Sequence, residues 1–305
     1  MTLGTGLKVL SRADAQNYAV GAFNVSDMEI LQAVIRAAEA QRSPVFVQTS
    51  EGAIEYAGLE QLFTMMLYAA ESASVPVVIH LDHGKDLDLI HKCINIGYTS
   101  VMFDGSQLSF EENVAKTRQV VRWAHRKGVS VEAELGTLGG VEDKVVGKEI
   151  VLTDPEAAVS FVKRTGCDSL AIAIGTSHGA YKFSGQASLD LARLRLIKRK
   201  LRMPLVLHGA SGVPAELVRR ITQSGGQLGN PEGVPDDQLG QAVRLGINKV
   251  NTDTDLRLAF TAAVRETLIT KPQEFDPRKL LGPARDAMQQ VVEARMRLFG
   301  SSGKA

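Results

Sequence analysis

The feature that most limits the fold is a regular alternation of short apolar segments with longer amphipathic ones. Eight strand-like segments recur along the chain, and a segment with helical periodicity follows each of them. These eight are Val20–Val25, Pro44–Ser50, Pro76–His83, Ser100–Ser106, Ser130–Gly136, Ser169–Gly179, Pro204–Gly212 and Ile247–Asp255. Apolar strands that alternate with helices are typical of a parallel sheet covered by helices.

The number of strand–helix units favours a closed barrel over an open doubly wound sheet. Helical periodicity is clear in Met28–Gln41 and Phe110–Lys127, where apolar residues recur three and four positions apart. A (β/α)8 barrel typically needs ~250 residues, and the chain has 305. We therefore predict one α/β domain over residues 1–305, a TIM barrel with a C-terminal helical extension.

Two segments interrupt this alternation. Thr137–Thr153 follows the fifth predicted strand, and it is polar and contains Gly139, Gly140 and Gly147. It is long for a loop between a strand and a helix, so we predict a mobile, glycine-hinged lid. Gln223–Pro235 is rich in Gly and Pro and divides a helical segment, so we predict a surface insertion there.

Charge and cysteine content exclude several classes of protein. A net charge of +1 provides no overall field that would attract nucleic acid or a membrane surface. We find no signal peptide and no segment long enough to span a bilayer, so we expect a cytoplasmic protein. Cys93 and Cys167 lack the spacing of a metal site and are predicted to be buried free thiols in a reducing compartment.

Polar residues stand at the carboxyl end of nearly every predicted strand. They are Asn24, Ser50, Asp82, His83, Asp104, Glu132, Glu134, His178, His208, Asn251 and Asp253. The carboxyl ends of barrel strands meet at one mouth, where barrel enzymes place their reactive groups. The sequence therefore predicts an active site formed by these side chains.

Three of the six histidines precede a glycine at a predicted strand end: His83, His178 and His208. Three neutral imidazoles around zinc leave one coordination position open and the full +2 charge available, which suits a Lewis acid. Each histidine alone could instead cap a loop or bind a backbone carbonyl, but three at matching places favour a metal site. The other three, His80, His91 and His125, are predicted to be structural.

Glycines after these histidines suggest a phosphate site. Gly179 and the segment Gly209–Gly212 expose backbone N–H groups where barrels commonly bind phosphate. Asn251–Thr254 adds polar atoms at the last strand. Tight turns could explain these glycines, and helix capping could explain the polar residues.

Six motifs resemble those of class II fructose-1,6-bisphosphate aldolases, and they occur in the same order. They are HLDHG (80–84), VMFDGS (101–106), VEAELGTLGGVED (131–143), GTSHGAYK (175–182), LHGASG (207–212) and NTDTD (251–255). The likeness extends from about Leu7 to the C-terminus. It is greatest to the shorter branch of the family, which also contains tagatose-1,6-bisphosphate aldolases.

The resemblance implies roles for the metal-binding and catalytic residues. His83, His178 and His208 would bind the catalytic Zn²⁺, although such sites also accept Co²⁺ or another divalent ion. Asp104 and Glu134 match positions that can hold a second metal, but they could instead orient the metal ligands. Asp82 would be the acid/base at the aldehyde oxygen, although it could instead only orient a histidine. Glu142 would remove the proton from C1 of dihydroxyacetone phosphate, although it could be an ordinary loop charge.

The resemblance also implies substrate contacts and an oligomer. The residues matching the dihydroxyacetone phosphate site are Gly179, Gly209, Ala210, Ser211, Asn251, Thr252, Asp253 and Thr254. Asn24 and Ser50 match contacts to the aldehyde half. Arg278 resembles an arginine that a neighbouring subunit lends to the far phosphate, which implies a homodimer or homotetramer, although it could be a plain surface residue. The family also uses a monovalent cation near the phosphate.

These inferences predict a metal-dependent aldolase that reversibly cleaves fructose 1,6-bisphosphate into dihydroxyacetone phosphate and glyceraldehyde 3-phosphate. Zinc would stabilise the enediolate, because negative charge must develop on one oxygen. The alternatives are a tagatose-1,6-bisphosphate aldolase, a TIM-barrel metallohydrolase and a non-catalytic sugar-phosphate binder. A lysine Schiff base is rejected, because no lysine lies in an apolar strand-end motif.

Overall fold

The computed structural model describes residues 2–142, 145–147, 150–178, 188–229 and 231–305, with the side chains of 140–142, 145–147 and 178 left out. Eight parallel strands close into a barrel in chain order, which confirms the predicted (β/α)8 TIM barrel. Numbered among all strands of the chain, they are β1 (Val20–Asn24), β2 (Val45–Thr49), β3 (Val77–Gly84), β4 (Ser100–Phe103), β5 (Ser130–Leu135), β8 (Ser169–Ile172), β10 (Leu205–Leu207) and β11 (Ile247–Thr252).

Helices cover the outside of the barrel and continue past its last strand. They are α1 (Gly6–Ala15), α2 (Met28–Gln41), α3 (Glu51–Ala57), α4 (Leu59–Ser72), α5 (Leu87–Ile96), α6 (Phe110–His125), α7 (Pro155–Thr165), α8 (Leu191–Leu201), α9 (Ala215–Gln223), α10 (Asp236–Arg244), α11 (Thr254–Thr270) and α12 (Pro277–Leu298). The two helices predicted from periodicity are present as α2 and α6. A capping box of Ser109 and Glu112 starts α6, where it satisfies otherwise unpaired backbone N–H groups. Helix α12 is the predicted C-terminal extension and packs on α2 and α11.

The barrel interior changes character along its axis. Because side chains alternate across each strand, every second residue points inward. Near the amino ends these residues are apolar and include Val20, Ala22, Phe46 and Val78, which pack in one buried cluster. At the carboxyl ends they are polar, and this mouth carries the site described below.

The sixth predicted strand, Ser169–Gly179, is shorter than expected. Strand β8 ends at Ile172, and Gly175 adopts a φ of +108°, a left-handed conformation that glycine adopts without strain. The chain then forms β9 (Ser177–His178), which pairs with β6 (Gly139–Glu142). Strand β6 pairs in turn with β7 (Val145–Gly147). The predicted lid segment therefore contains a hairpin joined to the segment that carries His178.

The prediction of a surface insertion over Gln223–Pro235 is wrong at its C-terminal end. Val234 is fully buried, and its N–H donates to the Ser211 carbonyl at 3.1 Å. A Cβ on Gly233 would lie 2.2 Å from the carbonyl carbon of Gly212. This end of the segment packs against the loop after β10, because only a residue without a side chain allows so close an approach.

The predictions about the two cysteines and about two of the histidines are confirmed. Cys93 and Cys167 are buried free thiols. His91 lies on α5, and His125 at the end of α6 contacts Asp168 at 2.9 Å. Within the described ranges, no helix combines the length and apolar character that crossing a membrane requires.

Candidate metal centre and active site

A β-bulge presents two consecutive side chains of β3 to the barrel mouth. The register of β3 against β4 shifts between Leu81 and Gly84. His83 within this bulge has a φ of +48°, which is uncommon for a residue with a side chain. A bulge redirects side chains that would otherwise alternate between the two faces of the sheet. Asp82 and His83 can therefore both line the same pocket.

His208 reaches the same point from the other side of the barrel. It directly follows β10, and its Nδ1 lies 2.7 Å from Nε2 of His83. The two rings are nearly perpendicular at 88°, and both residues are buried. A nitrogen of each and a carboxylate oxygen of Asp82 all lie within 4.8 Å of one another. Two of the three predicted zinc ligands therefore converge.

Without a bound cation, carboxylates around His83 keep that imidazole protonated. Burial alone would lower its pKa, but Asp82, Asp104 and Glu134 outweigh this effect and raise the pKa to about 10. Nδ1 of His83 donates to Asp104 Oδ2 at 3.1 Å, and Nε2 then donates to Nδ1 of His208. A divalent cation would replace the shared proton, because it satisfies the same lone pairs and carboxylates.

A second group of candidate metal-ligand atoms lies on the other side of His83, beside the ring nitrogen that does not meet His208. His83, Asp104 and Glu134 each place a ligand atom within 4.8 Å of the others. Burial and the neighbouring Asp104 raise the pKa of Glu134 to about 8. Oε2 of Glu134 is buried and has no hydrogen-bond partner in the described part of the chain. Two buried carboxylates, one with an unsatisfied oxygen, fit a divalent cation.

Three side-chain amides surround the carboxylate of Asp82. Asn24 Nδ2 and Gln48 Nε2 donate to Oδ2 at 3.0 and 3.1 Å, and Asn251 Nδ2 donates to Oδ1 at 2.9 Å. Asn24 and Asn251 were predicted to contact substrate, whereas Gln48 was not predicted at all. Its position was visible in the sequence, since it lies two residues after Phe46 on the inward face of β2.

Among the described residues, those that line the pocket at the barrel mouth are all predicted site residues. Its lining is Asn24, Asp82, His83, Gly209, Ala210, Ser211, Asn251 and Asp253. Gly209 has a φ of +58°, and a Cβ there would lie 2.6 Å from the Ser177 carbonyl oxygen, so the turn requires glycine. Asp255 stabilises the loop after β10 by accepting hydrogen bonds from the N–H groups of Gly212 and Val213.

Other predicted substrate residues lie beside this pocket or away from it. Ser50 caps α3 by accepting the N–H of Ala53 at 3.1 Å. Thr252 and Thr254 are buried at the end of β11 and the start of α11. The Arg278 side chain is 88% exposed and pairs with Asp276, two residues earlier in the chain, and it does not line the pocket within one subunit.

Three predicted site positions are not fully described. His178 and Glu142 have backbone positions in β9 and β6, but their side chains lie outside the described residues. Gly179 lies outside them altogether.

Below the pocket, the barrel holds a charged pair of Glu132, which the sequence analysis placed among the strand-end polar residues, and Lys249, which it missed. Lys249 and Glu132 are almost completely buried, and Nζ of Lys249 lies 3.0 Å from Oε2 of Glu132. Oε1 of Glu132 accepts from His208 Nε2 at 2.7 Å. The sequence signal for Lys249 was its spacing, since it lies two residues before the predicted site residue Asn251 on the same strand face.

His80, predicted to be structural, lies in the same layer. Its Nδ1 contacts Ser100 Oγ at 2.8 Å, and its Nε2 is 3.8 Å from Glu132. Burial and the nearby Lys249 hold its pKa well below the usual value for histidine. It is therefore neutral, as expected for a structural histidine.

A larger cavity, of about 440 Å³, lies at the amino ends of the strands. Its lining includes Leu3, Lys8, Arg12, Tyr18 and Lys304, and the described residues that line it include no histidine, Asp or Glu. The convergent acid/base and ligand groups lie at the other end of the barrel, so the pocket at the mouth is the candidate active site.

Comparison with known proteins places the chain in a family. Residues 5–304 match the family model described as fructose-bisphosphate aldolase class-II. The chain is 53% identical to a fructose-bisphosphate aldolase of Thermus caldophilus, covering 99% of this chain and 100% of that one. A fructose-bisphosphate aldolase of Helicobacter pylori is 47% identical, covering 98% of each. The crystal structure of the YdjI aldolase from Escherichia coli K12 matches with a TM-score of 0.82 and 34% identity over 99% of both chains. The chain therefore belongs to the class II fructose-bisphosphate aldolase family.

Proposed function

We propose that this protein reversibly cleaves fructose 1,6-bisphosphate into dihydroxyacetone phosphate and glyceraldehyde 3-phosphate, using Zn²⁺ held by His83, His178 and His208. The observation that carries the proposal is the 2.7 Å approach of His83 Nε2 to His208 Nδ1 beside Asp82. The relatives named fructose-bisphosphate aldolase support this substrate, and tagatose 1,6-bisphosphate is the alternative.

Zinc, when bound, would supply a Lewis acid that draws electron density from the ketone oxygen of the sugar. Imidazole ligands leave its charge unquenched, and they also accept Co²⁺ or another divalent ion. His178 is proposed as the third ligand because its backbone lies in β9, directly after the β8 end of the barrel.

Asp82 is proposed to exchange a proton with the oxygen that becomes the aldehyde. In cleavage it would take the proton from that hydroxyl while the carbon–carbon bond breaks, and in synthesis it would return the proton. The three amide donors fix the orientation of the carboxylate, and its position in the pocket beside His83 supports a contact with the sugar.

Glu142 is proposed to exchange the second proton, at the carbon of dihydroxyacetone phosphate that forms the new bond. Its backbone lies in β6, within a hairpin that pairs with the strand carrying His178. A base on such a segment would meet the substrate when the segment covers the mouth and excludes water.

Asp104 and Glu134 have two possible roles. Asp104 accepts from Nδ1 of His83, which leaves Nε2 directed at the zinc position. The unsatisfied oxygen of Glu134 supports a second divalent cation shared with Asp104.

Substrate binding is proposed to centre on the loop after β10. Gly209, Ala210 and Ser211, together with Gly179, Asn251, Thr252, Asp253 and Thr254, would hold dihydroxyacetone phosphate, with a monovalent cation nearby. Asn24 and Ser50 would contact the aldehyde half. Arg278, exposed and distant from the pocket lining, fits a residue that a neighbouring subunit of a homodimer or homotetramer would receive. A cytoplasmic location suits this reaction.

The direct test is a cleavage assay on both bisphosphates with purified protein. We expect the fructose compound to yield two triose phosphates, with turnover lost in a chelator and restored by Zn²⁺. Preferential cleavage of the tagatose compound would select the alternative substrate. Turnover that survives complete removal of metal would refute the metal-dependent mechanism.

A further inference from the structure

The charged pair below the pocket is unusual for its position. Interior layers of such barrels are normally filled by bulky apolar side chains, and removing an ion pair from water is costly. Lys249 is nevertheless fully buried, with its ammonium 3.0 Å from Oε2 and 3.2 Å from Oε1 of Glu132. The ring of Phe46 lies 5.6 Å from the same ammonium. No other carboxylate pairs with Lys249 among the residues that the structure describes.

Glu132 connects this ammonium to the metal-binding histidine. Its Oε1 lies 2.7 Å from Nε2 of His208. On the opposite side of that ring, Nδ1 faces His83. A carboxylate at Nε2 keeps the proton on that nitrogen and fixes the ring orientation, so the lone pair of Nδ1 points to the metal position.

We propose that Lys249 is a positioning residue that, through Glu132, holds His208 in the tautomer and orientation required to bind the metal. This inference rests on the proposed function, because it assigns His208 to zinc. The ammonium contacts both oxygens of Glu132, so it prevents the carboxylate from turning away from His208 Nε2. Lys249 is not among the residues that line the pocket, so it acts only through Glu132 and His208.

The test measures zinc affinity rather than turnover, by competition with a chelating dye at constant pH. We expect Lys249→Met to weaken zinc binding by about 10–100-fold, the usual effect of losing a residue that orients a ligand. The control is Lys198→Met, which removes a partly buried lysine that pairs with Asp14 and contacts Asn248 of β11 but is not among the residues that line the pocket. The control should leave zinc affinity within about twofold of the parent.

A second variant keeps the proposal testable if Lys249→Met does not fold. Lys249→Met combined with Glu132→Leu replaces the ion pair with apolar side chains of similar size, a change that buried pairs often tolerate. We expect this double variant to fold and still to bind zinc about 10–100-fold more weakly. Nitrogen-15 chemical shifts of the His208 ring should show the Nε2–H tautomer in the zinc-free parent and a shifted Nε2 resonance in the variants, because the Glu132 acceptor is displaced or absent.

The proposal would be overturned if folded Lys249→Met bound zinc as tightly as the parent does. If the single variant does not fold, parent-like zinc affinity in the double variant would overturn it. A parent protein that splits the bisphosphate yet has no tight zinc site would overturn it by a different route, through the zinc assignment itself. The two failures are distinguishable because the first leaves the parent's zinc stoichiometry intact.

Discussion

The loop that forms the candidate phosphate site depends on one buried carboxylate, Asp255. It is completely buried, and it accepts the backbone N–H groups of Val213 at 2.8 Å and Gly212 at 3.1 Å. It also pairs with Arg295 of α12, whose Nε lies 3.0 Å from Oδ2. The substitution Asp255→Asn keeps the shape but removes the charge and one of the two acceptor oxygens.

The expected loss in the free energy of unfolding follows from these contacts. Removing one partner of a buried ion pair costs ~3–5 kcal/mol, because the other charge stays buried. Arg295 keeps a second partner, the exposed carboxylate of Asp236, so we expect the lower end, ~3 kcal/mol. The control Asp236→Asn removes only the exposed partner and should cost less than ~1 kcal/mol.

Urea unfolding of the zinc-loaded protein measures how much stability each variant loses relative to the parent. With a slope of about 3 kcal/mol/M, a loss of ~3 kcal/mol lowers the midpoint by about 1 M. The control should shift it by less than about 0.3 M. Equal midpoints for Asp255→Asn and Asp236→Asn would refute the claim that Asp255 holds the loop.

Three further predictions concern individual residues. Asp82→Ala should keep its zinc but cleave the bisphosphate roughly 10²–10⁴-fold more slowly, and near-parent turnover would remove Asp82 from the proposed mechanism. Cys93 and Cys167 should resist thiol reagents in the folded protein even at pH 9, because burial raises both pKa values to about 12, and both should react in urea. Gly233→Ala should lower the free energy of unfolding by ~1–3 kcal/mol, because its methyl group would clash with backbone atoms. Gly282 has open space around it, so Gly282→Ala should not destabilise the protein, and thermal unfolding of the two variants compares them.

The barrel could be predicted because its signals are local. Apolar strands and amphipathic helices each follow from the spacing of side chains along a few residues, as in α2, whose predicted and observed ends coincide at Met28 and Gln41. The strand ends could be grouped as one site because every parallel barrel brings them together. His83 and His208 meet for this reason, although 125 residues separate them.

The parts that could not be predicted depend on contacts between distant segments. The bulge that turns Asp82 and His83 toward one pocket is a matter of register between β3 and β4, which no local pattern reveals. Gly233 was assigned to a surface insertion, because its close packing against another loop exists only in the folded chain. Lys249 looked unremarkable because a single charge within a strand becomes informative only when its buried partner is known.

The proposed chemistry depends on His208 as a ligand of the catalytic metal, and metal analysis of the His208→Ala variant tests this most directly. The parent protein should hold about one tightly bound zinc per chain at the histidine site and cleave the bisphosphate. The variant should remain folded, lose that zinc on dialysis and lose cleavage with it. Stoichiometric zinc and undiminished cleavage in His208→Ala would contradict the account.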